Sequence, residues 1–312
     1  MLPRVDTDTE WDEASSDEAA LRPGVEDLCA RLGLAGTELT RFPAGSLPVY
    51  AVGTEHVLKL FPGAYAQDAV REARVLSHLE DRLPVPTPRV HAAGAYENGW
   101  HYVLMSRLAG EDLAVAWPRV PIAVRDRIAT ESGAALAALH ALDPAPLADV
   151  VGPPDWGTFL DKQRAGAVEQ QRECGLAEVW LEQIPDYLDS AQLPTSTERV
   201  LLHTEFMREH LITDPSDGWR LTGLIDFEPA MTGDRAYDFV GVGLYVTKGD
   251  PRLLSRFYEA YGRAPYPPQT LLAYTLLHVY SNLARYLKGL PVAPEPRLDV
   301  LADTWFATDT SR

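Results

Sequence analysis

The sequence contains few cysteines, fewer basic than acidic residues and no long apolar run. Its two cysteines, Cys29 and Cys174, show neither CxxC nor metal-ligand spacing, so a fold held by disulfides or cysteine-bound metal is excluded. No apolar run approaches the ~20 residues that a membrane-spanning helix needs. The first residues are acidic and lack the apolar centre of a signal peptide. We therefore expect a cytoplasmic chain that is neither exported nor membrane-bound.

The charge balance narrows the range of partners. The chain has 28 Lys and Arg residues against 45 Asp and Glu residues, which gives a formal net charge of -17. Such an excess disfavours nucleic acids and anionic membrane surfaces, and it favours a small, positively charged molecule. An acidic surface that only maintains solubility would give the same composition. Nothing in the sequence indicates an oligomeric state.

Residues 1–20 are acidic, rich in Ser and Thr and poor in aliphatic residues, which predicts a flexible N-terminus. A helix is expected from Gly24 to Leu32. The total of 312 residues is enough for one large or two moderate domains, each with a substantial core.

Ionisable residues are concentrated between residues 200 and 239, where they stand at the ends of apolar segments. Two strand-like runs lie between Leu211 and Ile225, and the turn-forming residues Asp214 to Gly218 join them. A hairpin is therefore predicted. It would bring several candidate metal ligands or proton carriers to one end of the hairpin: His203, Glu205, His210, Asp226 and Glu228.

A second cluster is predicted from an interrupted apolar stripe. From Tyr65 onward, apolar residues recur at steps of three and four, and Glu72 occupies one position of that stripe. A carboxylate on an apolar helix face needs a buried cation, or it is driven to its neutral form. Lys59, flanked by apolar residues in a predicted strand, is the candidate. We predict a Lys59–Glu72 ion pair.

These motifs resemble the aminoglycoside phosphotransferases and choline kinases. That family carries a His-Gly-Asp loop, an Asn five residues after the Asp, an Ile-Asp pair, and Gly-Asp with a second Asp four residues later. The corresponding residues follow with the same spacing: His203-Thr204-Glu205, His210, Ile225-Asp226, Gly233-Asp234 and Asp238. The similarity covers roughly residues 40–290 and is greatest to hygromycin-type phosphotransferases.

The resemblance implies an α+β, protein-kinase-like two-lobed fold. Residues 21–106 would form a small N-terminal nucleotide-binding lobe with an antiparallel sheet. Residues 107–312 would form a larger, mainly helical catalytic and substrate-binding lobe. The implied reaction is transfer of the γ-phosphate of ATP or GTP to a hydroxyl of a small, cationic molecule such as an aminoglycoside-type antibiotic.

The resemblance also implies roles for individual residues. Glu205 falls on the catalytic carboxylate, with His203 as the loop histidine. Asp226 and His210 fall on the positions that hold Mg²⁺ or Mn²⁺. Glu228 lies two residues after Asp226, a spacing that points both side chains to the same side of an extended backbone, so we predict that Glu228 joins Asp226 as a metal ligand. A surface ion pair of Glu228 is the alternative. The nucleotide would contact six residues: Lys59, Glu72, Gly45, Ser46, Met105 and Arg107.

Two departures from the family signature keep other functions open. Glu205 replaces an Asp and reaches one methylene further, and His210 replaces an Asn, although imidazole is a poor ligand for Mg²⁺. One alternative is a pseudokinase that binds nucleotide without transferring phosphate. The other is a metal-dependent hydrolase that uses the His, Glu and Asp cluster, which would leave the Lys59–Glu72 pair without a role.

The substrate-binding part of the chain is less constrained. Trp156 to Leu193 is predicted to be helical and carries six carboxylates, which either form an acidic wall of the substrate cleft or, as is more common, a solvated face. Two further amphipathic helices are predicted over Pro251–Tyr261 and Pro268–Leu287. The six carboxylates are Glu169, Glu173, Glu178, Glu182, Asp186 and Asp189.

Overall fold

The computed structural model describes residues 1–5, 10–11, 17–43, 45–191, 193–194 and 198–309. The chain forms two compact units, and each contains several segments. The first consists of Met1–Arg82, Pro86–Ala109 and Gly223–Pro229. The second consists of Leu83–Val85, Gly110–Thr222 and Ala230–Arg312. The division predicted from the sequence placed the boundary after residue 106 and made each lobe one continuous segment. It therefore assigned Gly223–Pro229, which belongs to the first unit, to the second lobe.

A five-stranded antiparallel sheet forms the first unit, with strand order β1-β2-β3-β5-β4. Strand β3 pairs with β2 and β5, so that Lys59 lies opposite Val49 on one side and Val103 on the other. Lys59 is therefore on a central strand. The strands are β1 Leu39–Arg41, β2 Val49–Val52, β3 His56–Phe61, β4 Val90–Ala95 and β5 His101–Ser106.

The core on one face of this sheet includes the start of the chain. Leu58 and Leu60 of β3 pack in one cluster with residues of helix α1 (Glu18–Arg31) and with Leu2, which is 1% exposed. The indole Nε1 of Trp100 donates to the carbonyl of Pro3 at 2.7 Å. Leu2 and Pro3, which belong to the segment predicted to be flexible, thus contact the core of the sheet, and the flexibility of residues 1–20 stays a prediction. Of the same segment, residues 6–9 and 12–16 lie outside the described residues, and residues 18–20 belong to helix α1.

Helix α2 (Ala66–Leu79) buries the stripe predicted from its periodicity. Ala69, Leu76 and Leu79 are buried, and Glu72 is 1% exposed among them. Tyr65 is the exception, since it precedes the helix and is 41% exposed. Side chains alternate along β3, so Lys59 is on the face opposite Leu58 and Leu60, where it meets Glu72.

The second unit has small sheets within a mainly helical structure. Strands β8 and β9 are neighbours in a sheet of order β6-β8-β9, and they are joined through the predicted turn, where Gly218 has φ 63°. The hairpin prediction is confirmed. Strand β7 pairs with β10 in an antiparallel ladder. The strands are β6 Glu111–Asp112, β7 Val200–Leu202, β8 Leu211–Asp214, β9 Arg220–Leu224, whose last residues belong to the first unit, and β10 Met231–Gly233.

The helices of the second unit enclose a core rich in aromatic side chains. Helix α4 packs closely on helix α9, where a Cβ at Gly133 would lie 2.3 Å from the carbonyl oxygen of Phe257. The helices are α3 Leu113–Ala116, α4 Ile122–His140, α5 Trp156–Glu173, α6 Glu178–Leu181, α7 Ile184–Ser190, α8 Asp238–Gly241, α9 Pro251–Tyr261, α10 Pro268–Leu277, α11 Leu283–Gly289 and α12 Leu298–Phe306, with a π-helix at Val242–Thr247.

The predicted single helix over Pro268–Leu287 is wrong, because helix α10 ends at Leu277. His278 adopts an extended backbone with ψ 140°, and Asn282 then caps α11 by accepting from the N–H of Arg285 at 2.9 Å. Among the described residues, no helix combines the length and apolar character needed to cross a membrane.

Candidate active site

One ammonium and three carboxylates converge in the first unit. The Nζ of Lys59 lies 3.1 Å from Oε2 of Glu72, 2.5 Å from Oδ1 of Asp226 and 2.5 Å from Oε2 of Glu228. The predicted Lys59–Glu72 ion pair is confirmed. The structure adds two partners from the segment Gly223–Pro229, so Lys59 serves three anions.

Three carboxylates around one ammonium determine the pKa values in this cluster. Burial opposes the charge of Lys59, but the surrounding carboxylates, led by Asp226, hold the pKa of Lys59 well above its usual value. Burial and repulsion from Asp226 and Glu228 outweigh the attraction of Lys59 and raise the pKa of Glu72 to about 7. Burial also raises the pKa of Glu228, against the attraction of Lys59. The cluster carries more negative charge than one ammonium compensates.

The Asp226–Glu228 segment has an unusual backbone. Asp226 has φ 72°, in the left-handed region that non-glycine residues rarely occupy. One residue further on, Phe227 is fully buried, and the guanidinium of Arg71 donates to the carbonyl of Glu228 at 2.7 Å. These contacts hold Asp226 and Glu228 in place, so both carboxylates can reach Lys59.

The other predicted nucleotide contacts lie on strand ends and turns of the first unit. Gly45 and Ser46 are exposed, with φ 114° at Gly45, whereas Ala44 of the same turn lies outside the described residues. Met105 is buried on β5, where it pairs with Val57 of β3 and Val90 of β4. The backbone N–H of Arg107 donates to the carbonyl of Glu55 at 2.7 Å. That N–H is therefore engaged within the unit, and the nucleotide-binding roles of these residues stay predictions.

In the second unit, the loop His203-Thr204-Glu205 follows strand β7 and is anchored by Asp238. The Oδ2 of Asp238 accepts from the N–H of His203 at 2.8 Å, and its Oδ1 accepts from the N–H of Thr204 at 2.6 Å. His140 Nε2 is 2.9 Å from the same carboxylate. This contact with a buried carboxylate gives His140 a structural role.

The anchoring carboxylate is ionised. Burial favours the neutral form of Asp238, but hydrogen bonds and charges from His140, together with His203, outweigh burial and keep the pKa of Asp238 below its usual value. A buried carboxylate that accepts several N–H groups is stabilised in its charged form. Asp238 is therefore a fixed anion under the loop.

Thr204 is strained. It has φ 75°, is 1% exposed and is β-branched, and for such a residue a positive φ is an outlier. A conformation of this kind costs on the order of 1–3 kcal/mol and persists only where surrounding contacts enforce it. Such strain is concentrated at functional sites.

His210 supports the same loop through one ring nitrogen. Its Nδ1 lies 2.9 Å from the carbonyl oxygen of Glu205, and because a carbonyl only accepts, Nδ1 carries the proton. The ring also stacks on that of His203, with centroids 5.8 Å apart. A metal ion would therefore have to use Nε2 of His210, and the metal role of His210 stays a prediction.

A pocket lies beside Glu205 in the second unit. Its lining includes Thr204, Glu205 and Met207 together with three tyrosines, Tyr245, Tyr280 and Tyr286. Tyr245 comes from the π-helix, a feature that frequently marks functional sites. Three tyrosines thus lie beside the predicted catalytic carboxylate.

The carboxylates of the Trp156–Leu193 segment are exposed. Glu169 pairs with Arg172 on its own helix, and Asp189 pairs with Arg164 at 3.0 Å. None of the residues that line the pocket belongs to this segment. Of the two interpretations, the solvated face describes the six carboxylates: Glu169, Glu173, Glu178, Glu182, Asp186 and Asp189.

An antiparallel-sheet unit with a lysine and carboxylate cluster, and a helical unit with a histidine and carboxylate loop, define a small-molecule phosphotransferase. Comparison with known sequences agrees, since the family described as "Phosphotransferase enzyme family" matches residues 38–272. This chain belongs to that phosphotransferase family.

Solved structures agree on the fold. An aminoglycoside phosphotransferase in its GDP and kanamycin complex has a TM-score of 0.68 at 18% identity, over 82% of this chain and 87% of that chain. The macrolide 2′-phosphotransferase of Brachybacterium faecium has a TM-score of 0.63 at 21% identity, over 93% of this chain and 99% of that chain. The complex of another aminoglycoside phosphotransferase with ADP and hygromycin B has a TM-score of 0.58 at 20% identity, over 81% and 88%. The predicted kinase-like fold class is confirmed.

Proposed function

We propose that this phosphotransferase transfers the γ-phosphate of ATP or GTP to a hydroxyl of a small, positively charged molecule. The observation that carries the proposal is the convergence of Glu72, Asp226 and Glu228 on Lys59. The similar structures bound to GDP or ADP support a nucleotide as phosphate donor. Those bound to kanamycin or hygromycin B support an aminoglycoside-type acceptor.

The residues of the first unit have separate roles in binding the nucleotide. Lys59 holds phosphate oxygens, and Glu72 keeps its ammonium oriented. Gly45 and Ser46 cover the phosphates. The backbone around Met105 and Arg107 contacts the base.

Glu205 orients the acceptor hydroxyl and accepts its proton as the new phosphorus–oxygen bond forms and the bond to the leaving nucleoside diphosphate breaks. His203 packs under the loop and keeps Glu205 in position. Because the carboxylate of Glu205 reaches one methylene further than an aspartate would, its placement depends on the backbone of this loop.

The carboxylates of the first unit fit a divalent metal ion. Glu72, Asp226 and Glu228 each offer an oxygen, and these oxygens lie within 4.8 Å of one another. Carboxylate oxygens are the ligands that Mg²⁺ and Mn²⁺ prefer, and the excess negative charge around Lys59 favours a second cation. We assign Asp226 and Glu228 as the ligands. A bound ion would neutralise charge on the phosphates.

The acceptor site suits a cation with apolar parts. Tyr245, Tyr280 and Tyr286 line the pocket with Glu205. A cation over an aromatic face gains roughly 0.5–2 kcal/mol. The formal charge of -17 adds long-range attraction for a cation. The predicted cytoplasmic location and a role in antibiotic resistance stay predictions.

Ligand titration by thermal shift tests nucleotide and metal binding. ATP with Mg²⁺ or Mn²⁺ should raise the melting temperature, because a ligand at 100 times its Kd stabilises the fold by about 2.7 kcal/mol. Asp226→Asn should remove most of the rise in melting temperature that depends on the metal ion. Asp81→Asn is the control, because Asp81 is an exposed carboxylate of the same unit, paired with Arg89. No shift with any nucleotide would refute the proposal.

Transfer itself requires a second assay. Kanamycin and hygromycin B are incubated with ATP and metal, and mass spectrometry detects the addition of one phosphoryl group. Glu205→Gln should abolish transfer and leave the nucleotide-induced thermal shift intact. Binding of nucleotide without transfer to any tested acceptor would favour the pseudokinase alternative.

A further inference from the structure

The catalytic loop carries threonine at a position where the family signature has glycine. Glycine adopts positive φ without steric cost, whereas Thr204 at φ 75° does not. Contacts on both sides of the residue are therefore needed to hold it. Asp238 provides the contact on the N–H side, at 2.6 Å.

His278 provides the contact on the carbonyl side. Its Nε2 lies 3.1 Å from the carbonyl oxygen of Thr204, a residue 74 positions earlier in the chain. Because the carbonyl can only accept, Nε2 is the protonated nitrogen. His278 is 5% exposed, and water therefore has little access to this bond.

Two further interactions fix the ring of His278, and a third holds its stacking partner Tyr237. Its Nδ1 accepts from the N–H of Tyr280 at 3.2 Å, which requires the unprotonated nitrogen at that position. The ring stacks on Tyr237, with centroids 4.5 Å apart and planes 18° apart. The hydroxyl of Tyr237 accepts from the N–H of Val279 at 2.9 Å. Burial lowers the pKa of His278 to about 4, consistent with a neutral ring.

The interruption between helices α10 and α11 brings this ring to the loop. A continuous helix would direct the backbone N–H of Tyr280 to a carbonyl one turn earlier. The extended backbone at His278 instead lets that N–H meet the histidine's own Nδ1. The break therefore selects the tautomer that donates to Thr204.

We infer that His278 is a positioning residue that sets the direction of the catalytic Glu205 by holding the carbonyl of Thr204. The carbonyl of Thr204 and the N–H of Glu205 belong to one planar peptide, so fixing one fixes the other. This inference rests on the proposed phosphotransfer. It concerns a residue that does not itself react with the acceptor or the nucleotide.

The test compares two replacements in the full-length chain. His278→Leu removes both polar contacts and should lower kcat about 100-fold, the scale of a misplacement of about 1 Å. His278→Gln keeps an N–H donor at the position of Nε2 and should stay within about 10-fold of the wild type. The KM for ATP should change less than about 2-fold in both. Thr275→Val is the matched control, since Thr275 is buried on helix α10 and its hydroxyl, which the change removes, donates to the carbonyl of Leu271.

Equal activity of His278→Leu and wild type would overturn the inference, as would equal losses in the Leu and Gln variants. If His278→Leu fails to fold, His278→Asn replaces it, because its amide is too short to donate to Thr204. Absence of turnover in the wild type would refute the proposed function and the inference together.

Nitrogen NMR of histidine-labelled protein near neutral pH tests the contact independently of activity. It should show a neutral ring, protonated on Nε2, whose signal disappears in His278→Gln. A ring protonated on Nδ1, or on both nitrogens, would overturn the inference even in an active enzyme.

Discussion

Replacing Lys59 by methionine removes the ammonium and keeps most of the side-chain volume. The lysine side chain is 9% exposed and that of Glu72 is 2% exposed, so neither charge is well screened by water. Removing one partner of a buried ion pair costs about 3–5 kcal/mol, because the remaining charge loses its compensation. Here Glu72, Asp226 and Glu228 all lose their shared cation. We expect a decrease in the free energy of unfolding of at least this size at about pH 8.

The decrease should depend on pH in a defined direction. A shift of the pKa of Glu72 from 4.5 to about 7 already corresponds to roughly 3 kcal/mol in the wild type. A carboxyl whose pKa is raised by folding binds protons more tightly in the folded state, so its unfavourable contribution grows as pH rises from about 4.5 to about 7. Without Lys59 the pKa rises further. The defect of Lys59→Met should therefore shrink as pH falls from about 8 to about 5.

Urea unfolding followed by circular dichroism measures these energies. Glu72→Gln in the Lys59→Met background should restore part of the lost stability, because it removes one uncompensated carboxylate. Glu72→Gln alone should weaken the pH dependence between about pH 5 and about pH 7. A Lys59→Met defect of equal size at both ends of the pH range would refute the electrostatic reasoning. So would a double variant less stable than Lys59→Met.

Three further predictions concern the remaining structure. Asp238→Asn should cost about 3 kcal/mol of unfolding free energy near neutral pH. Because folding lowers the pKa of Asp238, its contribution should vanish as pH falls through that lowered pKa, and a constant difference in urea unfolding would contradict this. Gly233→Ala should lower the free energy of unfolding by about 1–3 kcal/mol and lower the melting temperature, since its Cβ would lie 2.3 Å from the ring of Trp156. In Gly157→Ala the nearest contact of the Cβ is at 3.5 Å, so this variant should keep the wild-type melting temperature. Cys29, buried and with its pKa raised to about 11, should react with iodoacetamide only after unfolding, and labelling of the native chain seen by mass spectrometry would contradict that.

Local patterns were enough to predict the lysine cluster. Glu72 interrupts an apolar stripe, and the physical cost of an uncompensated buried charge requires a cation near it. The two-residue spacing of Asp226 and Glu228 predicted that both carboxylates would bind one metal ion. In the structure both contact the ammonium of Lys59, and the metal role stays a prediction. The periodicity of apolar residues, and a charged residue that interrupts it, can be recognised within a short segment. One sequence is therefore enough to predict such a pair.

Other features depend on contacts between distant residues and could not be predicted in this way. The bond from His278 to the carbonyl of Thr204 joins residues 74 positions apart, and it forms because a helix is interrupted where the sequence continues an amphipathic pattern. The positive φ of Thr204 runs against its own conformational preference. Only the assembled fold supplies the contacts that enforce it.

The first unit is assembled from segments that are far apart in the chain, and this has a consequence for synthesis on the ribosome. Residues 1–109 emerge early and contain all five strands of the sheet together with Lys59 and Glu72, one positive and one negative charge. More than a hundred residues later, Gly223–Pro229 delivers Asp226 and Glu228 to the same lysine. The excess negative charge around Lys59 therefore arises only when translation has passed residue 229, and a shorter nascent chain contains Lys59 and Glu72 without the other two carboxylates.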